Sequence, residues 1–279
     1  MHSHPILVPT DGSPLAERAF AHAAALAQAT HAPITLLRSI AAANPPLTEF
    51  AEEYVDIVQQ YLDERRYQFA GHPDVETRIT SGDPASAIVA AANDLKAGLI
   101  VMSSHGRGGL GRWLYGSVAD GVLRHTTLPT LVVLPACEPP GQNPGTTSML
   151  VSLDGGPNDG LIVRSVAQLA RGLGAQFRLL HVIDPEELGE SGHSMEVFQE
   201  AREHLESLAG QLEKRHMVVS IGVERGEPAR AIAQAARHYY VAVLALGLRA
   251  RHDGDRVLGR VGSSLLHYAT SPVLFVPLH

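Results

Sequence analysis

The sequence is poor in cysteine and in aromatic residues. Cys137 is the only cysteine among 279 residues, and aromatic residues make up 5% of the chain. A single thiol excludes any disulfide within the chain, and its neighbours Glu138, Pro139 and Pro140 are typical of a linker, not of a nucleophile's pocket. A chain without disulfides suits the reducing cytosol, so we expect a cytoplasmic location.

Other absences narrow the class of protein further. No apolar run approaches the roughly 20 residues that span a bilayer, and residues 1–5 pass directly into an apolar stretch, which leaves no room for a signal peptide. The formal net charge of -7 argues against broad binding to nucleic acid, which requires many Lys and Arg residues to displace counterions. We therefore expect neither a membrane nor a nucleic-acid partner, and we assign no metal to His2 and His4.

The chain does contain an internal repeat. ILVPTDGSP at 6–14 matches MLVSLDGGP at 149–157, SGDPASAIVAAA at 81–92 matches RGEPARAIAQAA at 225–236, and YGSVADGVLRHTTLPTLVVLP at 115–135 matches LGRVGSSLLHYATSPVLFVP at 258–277. The three matches keep their order at an offset of 143 or 144 residues, which composition alone does not produce. We therefore predict a tandem duplication, with domains at 1–137 and 148–279 and a Pro- and Gly-rich linker at 138–147.

Each half alternates short apolar runs with amphipathic segments. In the first half, residues 6–9, 34–40, 75–80, 99–102 and 130–134 predict strands, and residues 16–29, 47–69 and 84–93 predict helices. Strands this apolar are typical of a parallel sheet covered on both faces. We therefore predict an α/β fold of two tandem, doubly wound, five-stranded parallel-sheet domains, whose ligands bind beyond the carboxyl ends of the strands.

Two loops at that edge carry unusual residues. PTDGS at 9–13 follows the first strand, and a glycine-rich stretch at 102–121 follows the fourth, so the two loops face each other if these strands are neighbours. A carboxylate such as Asp11 accepts hydrogen bonds from ribose hydroxyls, whereas glycines let backbone N–H groups approach phosphate oxygens, and Ser117 begins a helix at its positive dipole end. Two alternatives stay open: Asp11 as a helix cap or Asx turn, and the glycine-rich stretch as a mobile connector.

This arrangement resembles the universal stress protein family. Its nucleotide-binding members carry a glycine, two residues, a second glycine, nine residues, and then Gly followed by Ser or Thr. Gly106, the nine residues at 107–115 and the pair Gly116 and Ser117 fit this pattern, whereas Ser103 stands at the place of the first glycine. Serine costs little there in an extended conformation and on the order of 1 kcal/mol at positive φ. The resemblance spans both halves and implies Rossmann-like domains of the adenine nucleotide α hydrolase-like type.

The resemblance also implies a ligand, ATP or a related adenine nucleotide, with or without Mg²⁺. The adenine would lie against the backbone near Pro9 and Ser39, the nucleoside by Asp11, and the phosphates within the glycine-rich loop. The nucleotide-binding residues implied are Pro9, Thr10, Asp11, Ser39, Ser103, Ser104, His105, Gly106, Arg107, Gly108, Gly109, Gly116, Ser117, Val118 and Ala119. We expect a stress-response regulator that binds and does not catalyse, because a loop histidine such as His105 more often packs or forms hydrogen bonds than acts as a base.

The second half departs from the family pattern at the matching place. Gly247 is present, but Ala250 replaces the second glycine, eight residues separate it from Gly259, and Arg260 replaces the serine. Acidic residues at 253 and 255 add negative charge where phosphates would lie. The arginines of this segment are explained either by a solvated charged loop, or by another anion or a contact with the other half. We predict that this half binds ATP poorly or not at all and pairs with the first as an intramolecular pseudo-dimer, whereas a homodimer of whole chains stays open.

Two other function classes stay open. A weak adenine-nucleotide hydrolase or adenylyl-transferring enzyme would carry a Ser-Gly-Gly-x-Asp loop after the first strand, which PTDGSP and SLDGGP do not match. GESGH at 189–193 fails the Gly-x-Ser-x-Gly pattern of serine hydrolases at its last position. The remaining alternative is a ligand-free interaction scaffold, which the substitution of glycine by Ser103 favours.

Overall fold

The computed structural model describes residues 4–40, 49–69, 72, 74–104, 116–141, 148–170, 174–186, 194–250 and 256–278. The chain divides into two compact units, Met1–Pro135 and Ala136–His279. The linker at 138–147 stays a prediction, because most of it lies outside the described residues.

The first unit is a doubly wound parallel sheet. Its strands pair in the order β3-β2-β1-β4-β5, and every pair is parallel. The strands are β1 (Ile6–Pro9), β2 (Ile34–Ile40), β3 (Val75–Ser81), β4 (Leu99–Ser103) and β5 (Thr130–Val133). The helices are α1 (Pro14–Thr30), α2 (Glu49–Arg66), which continues into a 3₁₀ turn (Tyr67–Phe69), α3 (Pro84–Asp94) and α4 (Ser117–His125). The predicted strands and helices of this half are confirmed to within about two residues at each end.

Local signals account for these elements. α3 begins where Asp83 accepts a hydrogen bond from the Ser86 N–H (2.9 Å), with Pro84 in its first turn. Leu7, Leu37 and Ile100 lie on three adjacent strands, are fully buried, and pack against α3 in one apolar cluster. Burial of this kind, on the order of 2 kcal/mol for each large apolar side chain, favours strands covered on both faces.

The apolar face of α2 is narrower than its spacing predicts. Val58 and Leu62 are buried, whereas Tyr54 and Ile57 are 45% and 58% exposed. Helical spacing identifies the side of the helix that faces the sheet, but residues at the margin of that side lie beyond the contact with the sheet.

The second unit repeats the fold. Its strands pair in parallel in the order β8-β7-β6-β9-β11, and the two-residue β10 pairs antiparallel with β9. The strands are β6 (Ser148–Leu153), β7 (Gln176–Ile183), β8 (Val219–Arg225), β9 (Val243–Ala250), β10 (Arg256–Val257) and β11 (Val273–Pro277). The helices are α5 (Asp159–Leu169), α6 (Ser194–Glu213), α7 (Pro228–His238) and α8 (Arg260–Tyr268). The predicted duplication of a five-stranded parallel domain is confirmed, and β10 is an addition that the sequence did not predict. Within the described ranges, no helix combines the length and the apolar character that crossing a bilayer requires.

Candidate functional site

The candidate site lies at the carboxyl edge of the first unit's sheet. β1 pairs with β2 on one side and with β4 on the other, so the expected neighbourhood of the first and fourth strands is confirmed. The strand order reverses its direction between β1 and β4, which is where doubly wound sheets bind ligands. The carboxyl ends of these two strands therefore border the same crevice.

The first of these loops is shaped by Asp11 and Gly12. Asp11 Oδ1 accepts a hydrogen bond from the Ser13 N–H (2.9 Å), which forms an Asx turn. Gly12 has a φ of +79°, which glycine adopts without strain. The cap of α1 is Ser13, whose Oγ accepts from the Ala16 N–H (3.1 Å). The Asx turn was one of the two interpretations of Asp11, and it holds a carboxylate with two acceptor oxygens at the edge of the crevice.

Pro9 and Ser39 mark the neighbouring part of the same edge. Pro9 is the buried last residue of β1 and pairs with Leu37 of β2. Ser39 is half-buried, and its hydroxyl donates to the carbonyl oxygen of Gly82 (3.4 Å), at the start of the loop before α3. The two residues expected near an adenine therefore lie on adjacent strands.

Backbone hydrogen bonds hold the two residues that flank the second loop, Ser104 and Gly116. Ser103 is the last residue of β4, pairs with Val133 of β5 and is 8% exposed. The Ser104 N–H donates to the Val133 carbonyl (2.9 Å), and the Gly116 N–H donates to the Ser104 carbonyl (2.6 Å). Because Ser103 has an extended strand backbone, serine fits there without the strain that a positive φ would cause.

The helix α4 begins directly after this segment. Gly116 is the N-cap residue and makes no side-chain cap bond, and Ser117, Val118 and Ala119 follow it. Their backbone N–H groups have no acceptor within the helix, and the helix dipole adds partial positive charge at this end. The candidate residues His105, Gly106, Arg107, Gly108 and Gly109 lie outside the described residues. The described candidates of the first unit are thus gathered at one edge, on β1, β2, β4 and α4.

Sequence reasoning missed two residues that contact Thr10, the residue before Asp11: Tyr61 and Arg38. Tyr61 Oη lies 3.2 Å from the hydroxyl of Thr10, and Arg38 Nη1 donates to the Thr10 carbonyl at 3.5 Å. The helical spacing of α2 assigns Tyr61 only to an apolar face. A buried arginine inside an apolar strand was the one available hint, since charged residues are rarely buried without a reason.

At the matching edge of the second unit, two ion pairs join the strands and loops. Asp154 Oδ1 accepts from the Gly156 N–H (3.0 Å), which repeats the Asx turn of Asp11, while Oδ2 pairs with Arg249 of β9. Burial alone would raise the pKa of the Asp154 carboxyl, but the hydrogen bonds from Arg249 and Gly156 outweigh burial and lower it. The carboxylate that corresponds to Asp11 is therefore engaged by a guanidinium of its own unit.

The second ion pair involves Arg260, which stands at the place of Ser117. Arg260 begins α8, and its guanidinium donates to Asp184 Oδ2 (2.9 Å), directly after β7, and lies 3.9 Å from Glu186 Oε2. Asp184 is 5% exposed, and its Oδ1 accepts from the Glu186 N–H (3.1 Å). Arg249 and Arg260 are thus paired within their own unit, and the description of these arginines as a merely solvated loop does not hold for these two.

Comparison with known proteins gives four results. The model of the universal stress protein family matches residues 2–133 and 146–277. The chain is similar to a universal stress protein of Mycolicibacterium smegmatis, with 28% identity over 97% of this chain and 96% of the relative. Its fold is similar to the crystal structure of a universal stress protein from Archaeoglobus fulgidus, with a TM-score of 0.77, 18% identity and 99% of both chains covered. A universal stress protein crystallised in complex with cAMP is 27% identical, covers 48% of this chain and 98% of its own, and has a TM-score of 0.39.

Proposed function

Because the chain belongs to the universal stress protein family, we propose that it is a stress-response regulator whose first domain binds ATP or a related adenine nucleotide. Domain 1 and domain 2 are the two compact units described above. One observation carries the proposal: the first turn of α4, which holds the backbone amides of Ser117, Val118 and Ala119, begins at Gly116, whose N–H donates to the Ser104 carbonyl directly after β4. β4 pairs with β1, the strand that leads into the Asp11 loop. Backbone amides in the first turn of a helix form a ready site for phosphate oxygens.

The ligand would lie along the carboxyl edge of the sheet. Its adenine would contact the backbone near Pro9 and Ser39, and its ribose hydroxyls would donate to the Asp11 carboxylate. The phosphates would reach α4 and the loop that starts at Ser104, with or without Mg²⁺ between their oxygens. The extended backbone at Ser103 supports this arrangement, because it removes the strain that a serine at the family's glycine position would otherwise introduce.

Domain 2 would not bind the nucleotide. The guanidinium of Arg260 stands where domain 1 has the small hydroxyl of Ser117, and it is held by the buried Asp184. A phosphate chain would have to displace two ion pairs and approach the carboxylates left behind. Domain 2 would then serve as a structural partner in an intramolecular pseudo-dimer. That pairing stays a prediction, which independent tumbling of the two domains in solution would contradict.

We propose a binding module, acting in the cytoplasm, and not an enzyme. The one residue considered as a base, His105, belongs to the glycine-rich loop outside the described residues. Because a loop histidine more often packs or forms hydrogen bonds than acts as a base, any hydrolysis of ATP should be slow and incidental to binding. Fast, saturable turnover of ATP by the purified protein would point instead to the hydrolase alternative.

Titration calorimetry with ATP, with and without Mg²⁺, tests the proposal. Gly116→Asp should abolish binding, because its carboxylate would lie beside the phosphates; the backbone there (φ -66°, ψ 148°) suits an aspartate N-cap, so the fold should be kept. Gly259→Asp is the matched control in domain 2: among the described residues, no atom beyond its sequence neighbours lies within 4 Å of the added Cβ, and the variant should leave the affinity unchanged.

The number of nucleotides bound per chain, and whether the unmutated protein binds at all, distinguish the remaining alternatives. We expect one nucleotide per chain. Failure of the parent protein to bind any adenine nucleotide would favour the ligand-free scaffold. Equal loss of affinity in both variants would contradict the assignment of the site to domain 1.

A further inference from the structure

We infer that Tyr61 and Arg38 are positioning residues for the nucleotide site of domain 1, which they serve by holding Thr10, the residue before Asp11. The inference rests on the proposed function, since it concerns the same site. Neither residue belongs to the nucleotide-binding pattern of the sequence, and neither is assigned to contact the ligand. Their effect would pass through Thr10 to the loop that carries Asp11 and Gly12.

Thr10 is held at each of its polar groups. It is 6% exposed, its N–H donates to the Leu37 carbonyl (2.9 Å), and its carbonyl accepts from Arg38 Nη1 (3.5 Å). Its hydroxyl oxygen accepts from the Gly12 N–H (3.1 Å) and lies 3.2 Å from Tyr61 Oη. The residue before Asp11 is therefore fixed by three different segments of the chain.

The hydrogen bonds around Tyr61 run in one direction. Tyr61 Oη donates to Glu17 Oε1 (2.9 Å), so the Thr10 hydroxyl is left to donate to Tyr61. Arg65 Nε also donates to Glu17 Oε1 (2.7 Å), and its guanidinium lies 4.9 Å from the centroid of the Tyr61 ring. Gly12, Thr10, Tyr61 and Glu17 thus form one chain of donors and acceptors, in which each bond strengthens the next.

Arg38 supports the same residue from within the sheet. It is 6% exposed, and its Nε has no hydrogen-bond partner among the described residues. A buried guanidinium is costly unless it is hydrogen-bonded, and within the described part of the chain Arg38 donates to the Thr10 carbonyl. In β2, Leu37 belongs to the cluster that packs on α3, so Arg38, the next residue, lies on the opposite face, where α1 and α2 pack.

In domain 2, different side chains hold the loop that follows its first strand, β6. His204 of α6 stands at the place of Tyr61, and its Nε2 lies 3.0 Å from Oδ2 of the fully buried Asp159. Asp159 accepts hydrogen bonds from the N–H groups of Gly155 (3.0 Å) and Asp154 (3.4 Å), and Leu153, without a hydroxyl, replaces Thr10. Both domains therefore tie this loop to their second helix, but only domain 1 does so through a side chain next to the proposed ribose contact.

Tyr61→Phe tests the inference, because it removes one hydroxyl and keeps the ring beneath Arg65. We expect the Kd for ATP to rise about three- to tenfold, the size of one hydrogen bond. Thr10→Val removes the same bond from its other end, so the double variant should bind no more weakly than Thr10→Val alone. His204→Phe, the matched change in domain 2, should leave the Kd unchanged.

A second measurement separates positioning from mere stability. In the ligand-free protein, hydrogen exchange of the Gly12 and Ser13 amides should become faster in Tyr61→Phe, while the amides in the middle of α1 keep their rates. Arg38→Met should weaken ATP binding in the same way. If the parent protein binds ATP and Tyr61→Phe binds it equally well, the inference is wrong whatever the exchange rates. If the parent protein itself does not bind ATP, the proposed function fails instead.

Discussion

Replacement of His22 should remove most of the acid sensitivity of domain 1. His22 lies on the buried side of α1 and is 8% exposed. Burial, with a smaller contribution from the charge of Arg18, lowers the pKa of its imidazole from 6.5 to about 4. The low-dielectric surroundings disfavour the protonated ring, so the folded domain holds His22 in its neutral form at neutral pH.

The sign and size of the effect follow from this pKa. Because the folded-state pKa lies below the unfolded one, the stability linked to His22 is fully present above pH 6.5 and is lost as the pH falls through 6.5 towards 4. At about 1.4 kcal/mol for each pH unit, the difference between 6.5 and about 4 corresponds to about 3 kcal/mol. That is a large share of the 5–15 kcal/mol typical of a whole domain.

The assay is urea unfolding at a series of pH values. Circular dichroism can follow unfolding at each pH, with the parent protein and His22→Leu compared under identical conditions. Between about pH 7 and 4, the parent protein should lose about 3 kcal/mol more than His22→Leu. Equal pH dependence of the parent and His22→Leu, or an NMR titration of His22 near 6.5, would refute the reasoning.

Three further variants test the packing and the ion pairs, each by urea unfolding. Gly121→Ala should lower the free energy of unfolding by about 1–2 kcal/mol, because the added Cβ would lie 2.6 Å from the Cβ of Ala85 and force α3 and α4 apart. Gly210→Ala, in α6 with nothing within 4 Å of the added Cβ, should raise it by about 0.5–1 kcal/mol through helix propensity; equal effects of the two would contradict the contact. Arg260→Ser should cost domain 2 no more than about 1 kcal/mol, since this arginine is largely exposed. That cost should shrink in about 1 M salt, and a salt-independent loss would show that the ion pair is not its cause.

The sequence predicted the backbone of both units better than it predicted the contacts of the site. Buried strands and amphipathic helices carry their own local pattern, so β2 was located to the residue and α3 within one. β10 was missed because two residues have no periodicity. The sequence allowed two roles for Asp11, a ribose contact or an Asx turn. The structure shows the turn, and its hydrogen-bond partner, Ser13, lies only two residues away in the sequence. The contact of Tyr61 with Thr10 joins positions 51 residues apart, which no local pattern reports.

A comparison of the two halves could have pointed to that contact. Tyr61 in the first half and His204 in the second occupy the same place in the repeat, and both side chains can form hydrogen bonds. Their partners also differ: Tyr61 contacts the hydroxyl of Thr10, whereas Leu153 stands at the place of Thr10 in the second half and His204 contacts the buried Asp159 instead. When two contacting positions both differ between repeats, the paired difference indicates a contact that neither repeat reveals alone.

Because of the ion pairs of Arg249 and Arg260, domain 2 can serve as an internal control for nucleotide binding by domain 1. Its crevice carries its own counter-charges, so nucleotide should leave the signals of its loops where they are. Labels at the matched positions 117 and 260 would then report, in one sample and at one concentration, a responding and a silent copy of the same fold. Any change at the silent copy on addition of ATP would measure what domain 1 transmits to its duplicate.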